Sequence, residues 1–240
     1  MKKSIVLLLC TLTFSLGEAS SQVLPFLQIP QDPAITGMGG AGVALSSSAP
    51  LENNLADDAL GMNTFQIGAS YTLWQPSIAS YGLMGVSVSY RVIPKLSVAL
   101  SVSGFMSPEY ETAQASGLSG GSFRPLDLSI GAGAAYRFSD NMAVGVAAKF
   151  INSSLGEELK GSCVSANLSF KYAANDLQAG VALNNLGTPV KYGDVSYSLP
   201  MLAKAGAAYT ISGFTAALEA DYVFQAGFMP GLVCNMPTRI

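Results

Sequence analysis

The sequence has no histidine and little charge, since Asp, Glu, Lys and Arg together make up 11% of its 240 residues. Without histidine a Ser-His-Asp triad cannot form. Only three cysteines occur and no two of them form a Cys-x-x-Cys pair, which disfavours a zinc or haem site. The net charge of −3 and the isoelectric point of about 4.9 disfavour nucleic acid as a partner, because phosphate binding needs a basic surface.

Long hydrophobic runs are also scarce. Beyond the first twenty residues or so no segment is long and apolar enough for a membrane helix. Yet the chain is 50% hydrophobic and its mean hydropathy of +0.38 is high for a soluble exported domain. At the start, Lys2 and Lys3 precede an apolar core over residues 5–16 and then small residues around Ala19. This pattern predicts a cleaved signal peptide over residues 1–19 and export of the rest, in which Cys163 and Cys234 are expected to be unpaired thiols.

Apolar residues alternate with small or polar ones from Thr64 to Val223. In one segment Leu96, Val98, Leu100 and Val102 alternate with serines and Ala99. A β-strand turns successive side chains to opposite faces, so each such segment is a strand with one apolar face. The pattern predicts about nine strands, over residues 64–74, 82–91, 95–103, 126–138, 142–151, 164–172, 177–184, 203–210 and 214–223.

No amphipathic helix in the sequence could cover the apolar face of these strands. Lipid is the simplest cover, and the simplest closed form is an all-β, antiparallel transmembrane β-barrel. Tight turns alternate with longer links over residues 107–124, 152–161 and 185–200, as they do in outer-membrane barrels. The four tyrosines that precede the tight turns would form an interfacial girdle: Tyr90, Tyr136, Tyr172 and Tyr209.

A soluble antiparallel β-sandwich would show the same alternation. Strands of about ten residues, an uncharged apolar face and the asymmetry of the turns favour the barrel. An even number of strands is expected of a bacterial barrel, but residues 227–240 contain Pro230 and Pro237 and make a poor tenth strand. The barrel over residues 63–240 is therefore expected to be incomplete at its C-terminus, or to need a partner to close.

Residues 20–62 lack the strand pattern and are rich in glycine. Gly37, Gly39 and Gly42 match G-x-G-x-x-G, but no βαβ unit flanks them, so a dinucleotide site is disfavoured. We expect these glycines to let the segment fold tightly against the barrel wall as a lumenal hatch. The predicted hatch residues are Gly37, Met38, Gly39, Gly40 and Gly42.

Several charged residues fall on the predicted inward face. Glu219 and Asp221 share that face at positions i and i+2, but a carboxylate pair without a substrate pocket does not indicate catalysis. We expect the inward charges to neutralise one another or to face water, and we predict no catalytic residue, metal ligand or cofactor. The predicted lumen-facing polar residues are Asp127, Arg137, Lys149, Lys171, Lys204, Glu219 and Asp221.

Three stretches resemble the PorV/PorQ family of FadL-like outer-membrane barrels. They are residues 26–44, which include Gly37-Met38-Gly39-Gly40-Ala41-Gly42-Val43-Ala44, residues 123–127, and residues 136–151 with their Ser-Asp-Asn turn. The family's Asp-Ala-Arg stretch is Asp32-Pro33-Ala34 here. The family's barrels have about fourteen strands by resemblance to FadL, more than the pattern predicts in this chain.

The resemblance implies a non-enzymatic protein of the type IX secretion system. Such a barrel would sit in outer-membrane lipid and pass cargo proteins with a C-terminal sorting domain from the translocon to the attachment machinery. Docking would use extracellular loops, above all residues 107–124. One alternative is FadL-like uptake of hydrophobic small molecules, with a pocket lined by Phe26, Leu27, Ile29 and Met38. Another is a structural barrel without a transport role.

Overall fold

A computed structural model describes residues 23–74, 80–113, 119–156, 159–224 and 227–233. The predicted signal peptide and Cys234 lie outside the described residues. Before the sheet come a 3₁₀-helix at Pro25–Gln28 and two short helices, α1 (Pro33–Gly37) and α2 (Asp57–Leu60). Fourteen strands follow: β1 (Phe65–Trp74), β2 (Tyr81–Ile93), β3 (Leu96–Met106), β4 (Tyr110–Ala113), β5 (Ser119–Phe123), β6 (Leu126–Ser139), β7 (Met142–Ser154), β8 (Lys160–Ala174), β9 (Leu177–Gly187), β10 (Val190–Tyr192), β11 (Val195–Tyr197), β12 (Leu202–Ile211), β13 (Phe214–Val223) and β14 (Gly227–Val233).

Ten of these strands form one sheet, called the wall below, in the order β1-β2-β3-β6-β7-β8-β9-β12-β13-β14. Every neighbouring pair is antiparallel. Within the described residues β1 and β14 do not pair, so the sheet is open. The predicted antiparallel β architecture is therefore confirmed, as an unclosed sheet.

The two faces of the sheet differ as the alternation predicts. Leu100 and Val102 on the outer face are 64% and 46% exposed, whereas Ser101 and Ser103 between them are 5% and 1% exposed. The same alternation runs the length of β7. Buried residues therefore lie on the inner face, and what covers them is the chain before β1.

That covering chain, residues 23–64, is called the N-terminal segment below. Its helix α2 packs against β2, β3, β6, β7 and β8. Its residues Ser47 and Ser48 lie against β1, and Gly42 and Val43 lie against β9, β12 and β13. Because one short segment touches strands near both edges, the sheet curls around it. Within the described residues, no helix is long and apolar enough to span a membrane.

The connections divide the curled sheet into two ends. The end with two-residue turns between wall strands is called the turn end, and the opposite end is called the loop end. Residues with positive φ make two of these turns possible, namely Asn175 at φ 51° and Ser212-Gly213 at φ 50° and 83°. Such left-handed residues match the twist of a tight hairpin.

The prediction of about nine strands was too low. Residues 227–233 form a tenth strand, β14, whose Pro230 pairs with Ala220 of β13 without a shift in register. Two links predicted as loops also contain hairpins, β4–β5 and β10–β11. These hairpins are short and do not show a clean alternation of residue type, which is why the sequence pattern missed them.

Candidate functional site

The candidate site is the interior of the curled sheet, which the N-terminal segment fills. The 3₁₀-helix lies at the loop end, where Phe26 is fully buried against Phe105 of β3. Helix α2 lies near the turn end, where the carbonyl oxygen of Asp58 accepts a hydrogen bond from the hydroxyl of Ser97. The segment thus runs through the lumen from one end to the other.

The glycine-rich stretch makes a sharp turn after α1. Gly39 and Gly40 have φ angles of 65° and 91°, a conformation that glycine adopts without steric strain. A β-carbon built on Gly42 would lie 2.6 Å from the side chain of Ile35, whereas one on Gly37 would meet nothing within 4 Å. Met38 is partly buried against alanines of the segment and of β12 and β13.

Glu219 of β13 holds this stretch to the wall. One oxygen of its buried carboxylate accepts hydrogen bonds from the backbone amides of Gly42 and Val43, at 2.7 and 2.6 Å. The other oxygen is 2.8 Å from the ammonium of Lys204 on β12. Charge-assisted hydrogen bonds of this kind are among the strongest in proteins. Glu219 therefore links the N-terminal segment to two neighbouring strands.

Two further inward lysines pair with carboxylates of the N-terminal segment. The ammonium of Lys149 on β7 lies 2.9 Å from Glu52, and both side chains are almost completely buried. Lys171 on β8 is fully buried, 2.9 Å from Asp57 and 2.6 Å from the carbonyl oxygen of Ala44. A charge in a low-dielectric interior needs a partner of this kind, so these lysines require the segment to be in place.

Side-chain amides satisfy the irregular backbone of the segment. Asn54 donates to the carbonyl oxygens of Val43 and Phe170, at 2.8 and 3.0 Å. Asn167 of β8 donates to the carbonyl oxygen of Leu51 and accepts from the amide of Asn185. A register shift between Ala166 and Leu168 places Asn167 at a β-bulge. Bulges re-aim side chains, and here the bulge serves a buried hydrogen-bond network.

Asp32 connects two parts of the N-terminal segment, the helix α1 and residues 47–48. One carboxylate oxygen caps α1 by accepting from the amides of Ala34 and Ile35, and the other accepts from Ser47 and from the amide and hydroxyl of Ser48. Burial by itself would raise the pKa of Asp32, but these donors outweigh it and hold the pKa below its ordinary value. Asp32 thereby fixes α1 against the residues that approach β1.

The remaining predicted lumenal residues have other partners. Asp127 of β6 accepts from Ser153, whose hydroxyl also accepts from Tyr192 of the β10–β11 hairpin at 2.6 Å. Arg137 donates to the carbonyl oxygen of Pro94 at the turn end. Asp221 lies 3.7 Å from Lys204. The seven residues are therefore spread over the height of the wall and do not converge on one centre.

Glycines on the inner face make room for the backbone of the segment. A β-carbon on Gly145 of β7 would lie 2.8 Å from the amide nitrogen of Ala56. One on Gly180 of β9 would overlap the carbonyl oxygen of Val43, and one on Gly68 of β1 would overlap that of Ser48. Only glycine permits so close an approach, so these strand glycines are fitted to the path of the segment.

An apolar cluster closes the loop end. It contains Phe26 of the segment, Phe105 of β3, Ile151 of β7, Cys163 of β8 and Val190 of the β10–β11 hairpin. Leu27 and Ile29 pack against it and also line a cavity of only about 30 Å³. That is far below the several hundred Å³ of ordinary ligand pockets.

Asp58 and Arg91 face each other at the turn end. The guanidinium of Arg91 donates to the carbonyl oxygens of Asp58 and Gly61, which end α2. Burial raises the pKa of Asp58 to about 6, with a further rise from Asp57, against the lowering effects of the Ser89 hydroxyl and the charge of Arg91. Asp58 is thus a carboxylate that the fold holds in a poorly solvated position.

The alternation identified the wall lysines but not three carboxylates of the N-terminal segment, namely Glu52 and Asp57, which pair with Lys149 and Lys171, and Asp32. Glu52, Asp57 and Asp32 lie outside the strands, where no periodicity indicates which way a side chain points. Asp32 did carry one usable signal, because Asp followed by Pro is a common start of a helix. Among the described residues, no three His, Cys, Asp or Glu side chains are grouped as a metal site requires.

A family model described as type IX secretion system protein PorV matches residues 18–212. The matched range includes the whole N-terminal segment and the sheet from β1 to the end of β12. No curated protein matches the chain.

Replacing Glu219 with alanine should detach the glycine-rich stretch. The change leaves Lys204 without its closest carboxylate and the amides of Gly42 and Val43 without an acceptor. Breaking a buried ion pair in this way lowers the free energy of unfolding by about 3–5 kcal/mol. Urea unfolding followed by circular dichroism measures this loss of stability. Glu109→Ala is the control, because its ion pair with Arg124 is exposed and long at 3.9 Å. Equal effects of the two changes would contradict the anchoring role.

Gly180→Ala should displace the segment without altering the outer face. The added methyl group would overlap the backbone of Val43, and overpacking of this kind destabilises by about 1–3 kcal/mol. Limited proteolysis should then cut the segment around Val43 faster. Ala179→Val, next in the same strand but on the outer face, is the matched control. Unchanged cleavage in Gly180→Ala would show that the segment does not lie against β9.

Asp58→Asn should flatten the pH dependence of stability between about pH 4 and 6. The pKa of Asp58 is raised to about 6 in the fold from 3.8, so the folded state binds more protons in this window. Stability contributed by the protonated group is therefore full below about pH 4 and is lost as the pH rises through 6. Urea midpoints at pH 4.5, 5.5 and 7 should fall less steeply in the variant. If the urea midpoint of the variant fell with pH as steeply as that of the parent chain, the raised pKa of Asp58 would be contradicted.

Proposed function

The chain belongs to the PorV family of type IX secretion system proteins, and from that premise we propose that it is a non-enzymatic outer-membrane barrel that docks or shuttles cargo for secretion and surface attachment. The family match is the observation that carries this proposal, because it spans both the N-terminal segment and most of the wall. The cargo in this proposal is the set of proteins that bear the system's C-terminal sorting domain, and the other partner is the translocon.

The outer face of the wall supports a place in lipid. Among the outward positions of the nine wall strands from β1 to β13, the only charge is Lys160, which begins β8 at the loop end. Tyr90, Tyr136 and Tyr209 are about half exposed close to the turn end, where an interfacial girdle would lie. Cleavage of residues 1–19 as a signal peptide and an outer-membrane location belong to the same proposal.

The filled lumen favours docking over uptake of hydrophobic molecules. Phe26, Leu27 and Ile29, which could have lined a lipid pocket, pack against the wall instead. Met38 packs against alanines. Below them, buried ion pairs and hydrogen-bonded amides occupy the interior, an environment that disfavours an apolar ligand. In this proposal residues 20–62 are a hatch that stays in place while cargo is handled outside the lumen.

The loop end offers a surface for docking. The β4–β5 hairpin projects there within residues 107–124, with the rings of Tyr110 and Phe123 5.8 Å apart and Glu109 paired to Arg124. Phe123 approaches Gly156 of the next link along the wall. Tyr110 is exposed and Phe123 is partly buried. Accessible aromatic groups and arginine are typical of protein contacts, so we assign cargo or translocon contact to this hairpin.

Deletion and rescue test the proposal. Without the protein, cargo with the sorting domain should accumulate in the periplasm or lose its attachment to the cell surface, as measured by mass spectrometry of medium, surface and periplasm. The wild-type chain should restore secretion. A chain whose residues 107–124 are replaced by a short turn should reach the same outer-membrane abundance but recover less co-purifying cargo.

A matched control changes the opposite end of the barrel. Replacing Asp140-Asn141 by Asn-Gly keeps a tight turn between β6 and β7 and should leave cargo recovery unchanged. Full cargo recovery by the hairpin replacement would exclude that hairpin as the docking surface. An unchanged distribution of cargo in the deletion strain would overturn the secretion role as a whole.

A further inference from the structure

Lys149 has a polar partner of a kind that the other two inward lysines lack. Its ammonium lies 2.9 Å from the carboxylate of Glu52 and 3.0 Å from the side-chain oxygen Oδ1 of Asn185. Within the described residues, the polar partners of Lys171 and Lys204 are carboxylates and one backbone carbonyl. An amine, a carboxylate and a carboxamide therefore meet at Lys149 and at neither of the other two lysines.

The three groups are shielded from water. Asn185 is fully buried, Lys149 is 3% exposed, and the side chain of Glu52 is 10% exposed. They belong to β9, β7 and the N-terminal segment, so only the folded chain brings them together. In such an interior the charges lose their hydration, which lowers the cost of passing from the ion pair to a neutral acid and a neutral amine. A desolvated neutral amine is a nucleophile.

The backbone of β9 is distorted at Asn185. The β8–β9 register sets Asn184 and Asn185 opposite the single residue Asn167, and both of these consecutive asparagines are buried. Asn185 has a φ of 62°, which residues other than glycine seldom adopt. Bulges and unfavourable backbone angles of this kind occur where a functional side chain is re-aimed. Here they direct the carboxamide of Asn185 at Lys149.

Hydrogen bonds hold that carboxamide in one orientation. Its nitrogen Nδ2 donates to the carbonyl oxygens of Leu27 and Pro200, at 3.4 and 3.2 Å, which leaves Oδ1 to face the ammonium. Because Cγ is bonded directly to Oδ1, the nitrogen of Lys149 lies close to the electrophilic carbon of the amide. Groups held together in a reactive geometry have effective concentrations of about 10⁵–10⁸ M.

We propose that Lys149 and Asn185 form an intramolecular isopeptide bond after folding, with Glu52 transferring the protons. Glu52 takes a proton from the ammonium. The freed electron pair of Nζ then forms a bond to Cγ of Asn185, and the π pair of the carbonyl moves to Oδ1. When that pair returns, the bond between Cγ and Nδ2 breaks. Glu52 gives its proton to Nδ2 and receives one from Nζ, so that ammonia leaves.

The step balances in atoms and in charge. An ammonium, a carboxylate and a primary carboxamide become a secondary amide, a neutral carboxyl group and ammonia. One amide replaces another, and two buried charges whose hydration was lost disappear. Glu52 also lines the cavity of about 30 Å³ described above, which has room for a molecule of the size of water or ammonia.

The bond would join two strands that are not neighbours. β8 lies between β7 and β9 in the sheet, so the bond crosses β8 on the inner face and closes a covalent loop over residues 149–185. Closing a loop removes conformational freedom from the unfolded chain. The wall beside Glu52 would therefore resist unfolding even where the hydrogen bonds between its strands open. This consequence does not depend on the secretion role proposed above.

Peptide mass spectrometry of the full-length protein, purified from its own cells, tests the proposal. Trypsin does not cleave after a lysine that is acylated on Nζ. Residues 138–160 should therefore appear joined to residues 172–191. The mass of the joined peptide should be lower than the sum of the two by one molecule of ammonia, and fragmentation should place the branch at Lys149 and Asn185.

Two matched variants test the part played by Glu52. Glu52→Gln keeps the size and an oxygen for Lys149 but cannot take a proton, so formation of the joined peptide should slow by about a hundredfold. Asp57→Asn makes the same kind of change at the ion pair of Lys171 and should leave the joined peptide at its wild-type yield. Circular dichroism allows equal amounts of folded chain to be compared.

The wild-type chain decides the proposal whether or not a variant folds. Folded wild-type protein that gives the two peptides separately, with no loss of mass, would overturn it and leave Lys149 in an ordinary ion pair. A branch at any other residues would also overturn it. Joined peptide in Glu52→Gln at the rate of the wild type would contradict proton transfer by Glu52.

Discussion

Three lysines point inward from the wall and are buried, and the structure depends on how their charges are matched. Lys149 and Lys171 pair with Glu52 and Asp57 of the N-terminal segment, whereas Lys204 pairs with Glu219 of the next strand. Glu219 in turn holds the amides of Gly42 and Val43. Without the segment, two lysines would lose their closest carboxylates and Glu219 would lose two donors. Burial of an unpaired charge is strongly unfavourable, so the wall and the segment stabilise each other.

The same reasoning explains the glycines and the hydrogen-bonding side chains that lie along the path of the segment. An irregular chain in a lumen carries backbone groups that water does not reach, and each needs a partner. Asn54, Asn167 and Ser169 supply such partners, and Gly145 and Gly180 allow the backbone to come close enough. The inner face is therefore shaped for one particular chain path. This agrees better with an N-terminal segment that stays in place, and with cargo that docks outside the lumen, than with a pocket for small apolar molecules.

The sequence could predict the wall but not its interior. Alternation in segments such as Leu96–Met106 predicts a strand, the face on which each side chain lies and the approximate ends of the strand. It does so because successive side chains of a β-strand point to opposite faces. The inward position of Lys149, Lys171 and Lys204 followed from the same period. The pairing of Lys149 with Glu52 and of Lys171 with Asp57 did not, since each pair joins residues about a hundred positions apart, one of them in a segment without periodicity. β14 was underrated because its proline was counted against it, although Pro230 pairs with Ala220 of β13 without a shift in register.

Hydrogen exchange of the backbone amides in lipid vesicles tests most directly whether the segment and the wall form one unit. The structure predicts that the amides of Gly42, Val43 and Ala56, which donate to Glu219 or Ser169, exchange as slowly as those of β7 and β8. Exchange of these three amides at the rate of the exposed turn at Asp140, with β7 and β8 still protected, would contradict the account. The wall would then keep its structure without the N-terminal segment bound to it.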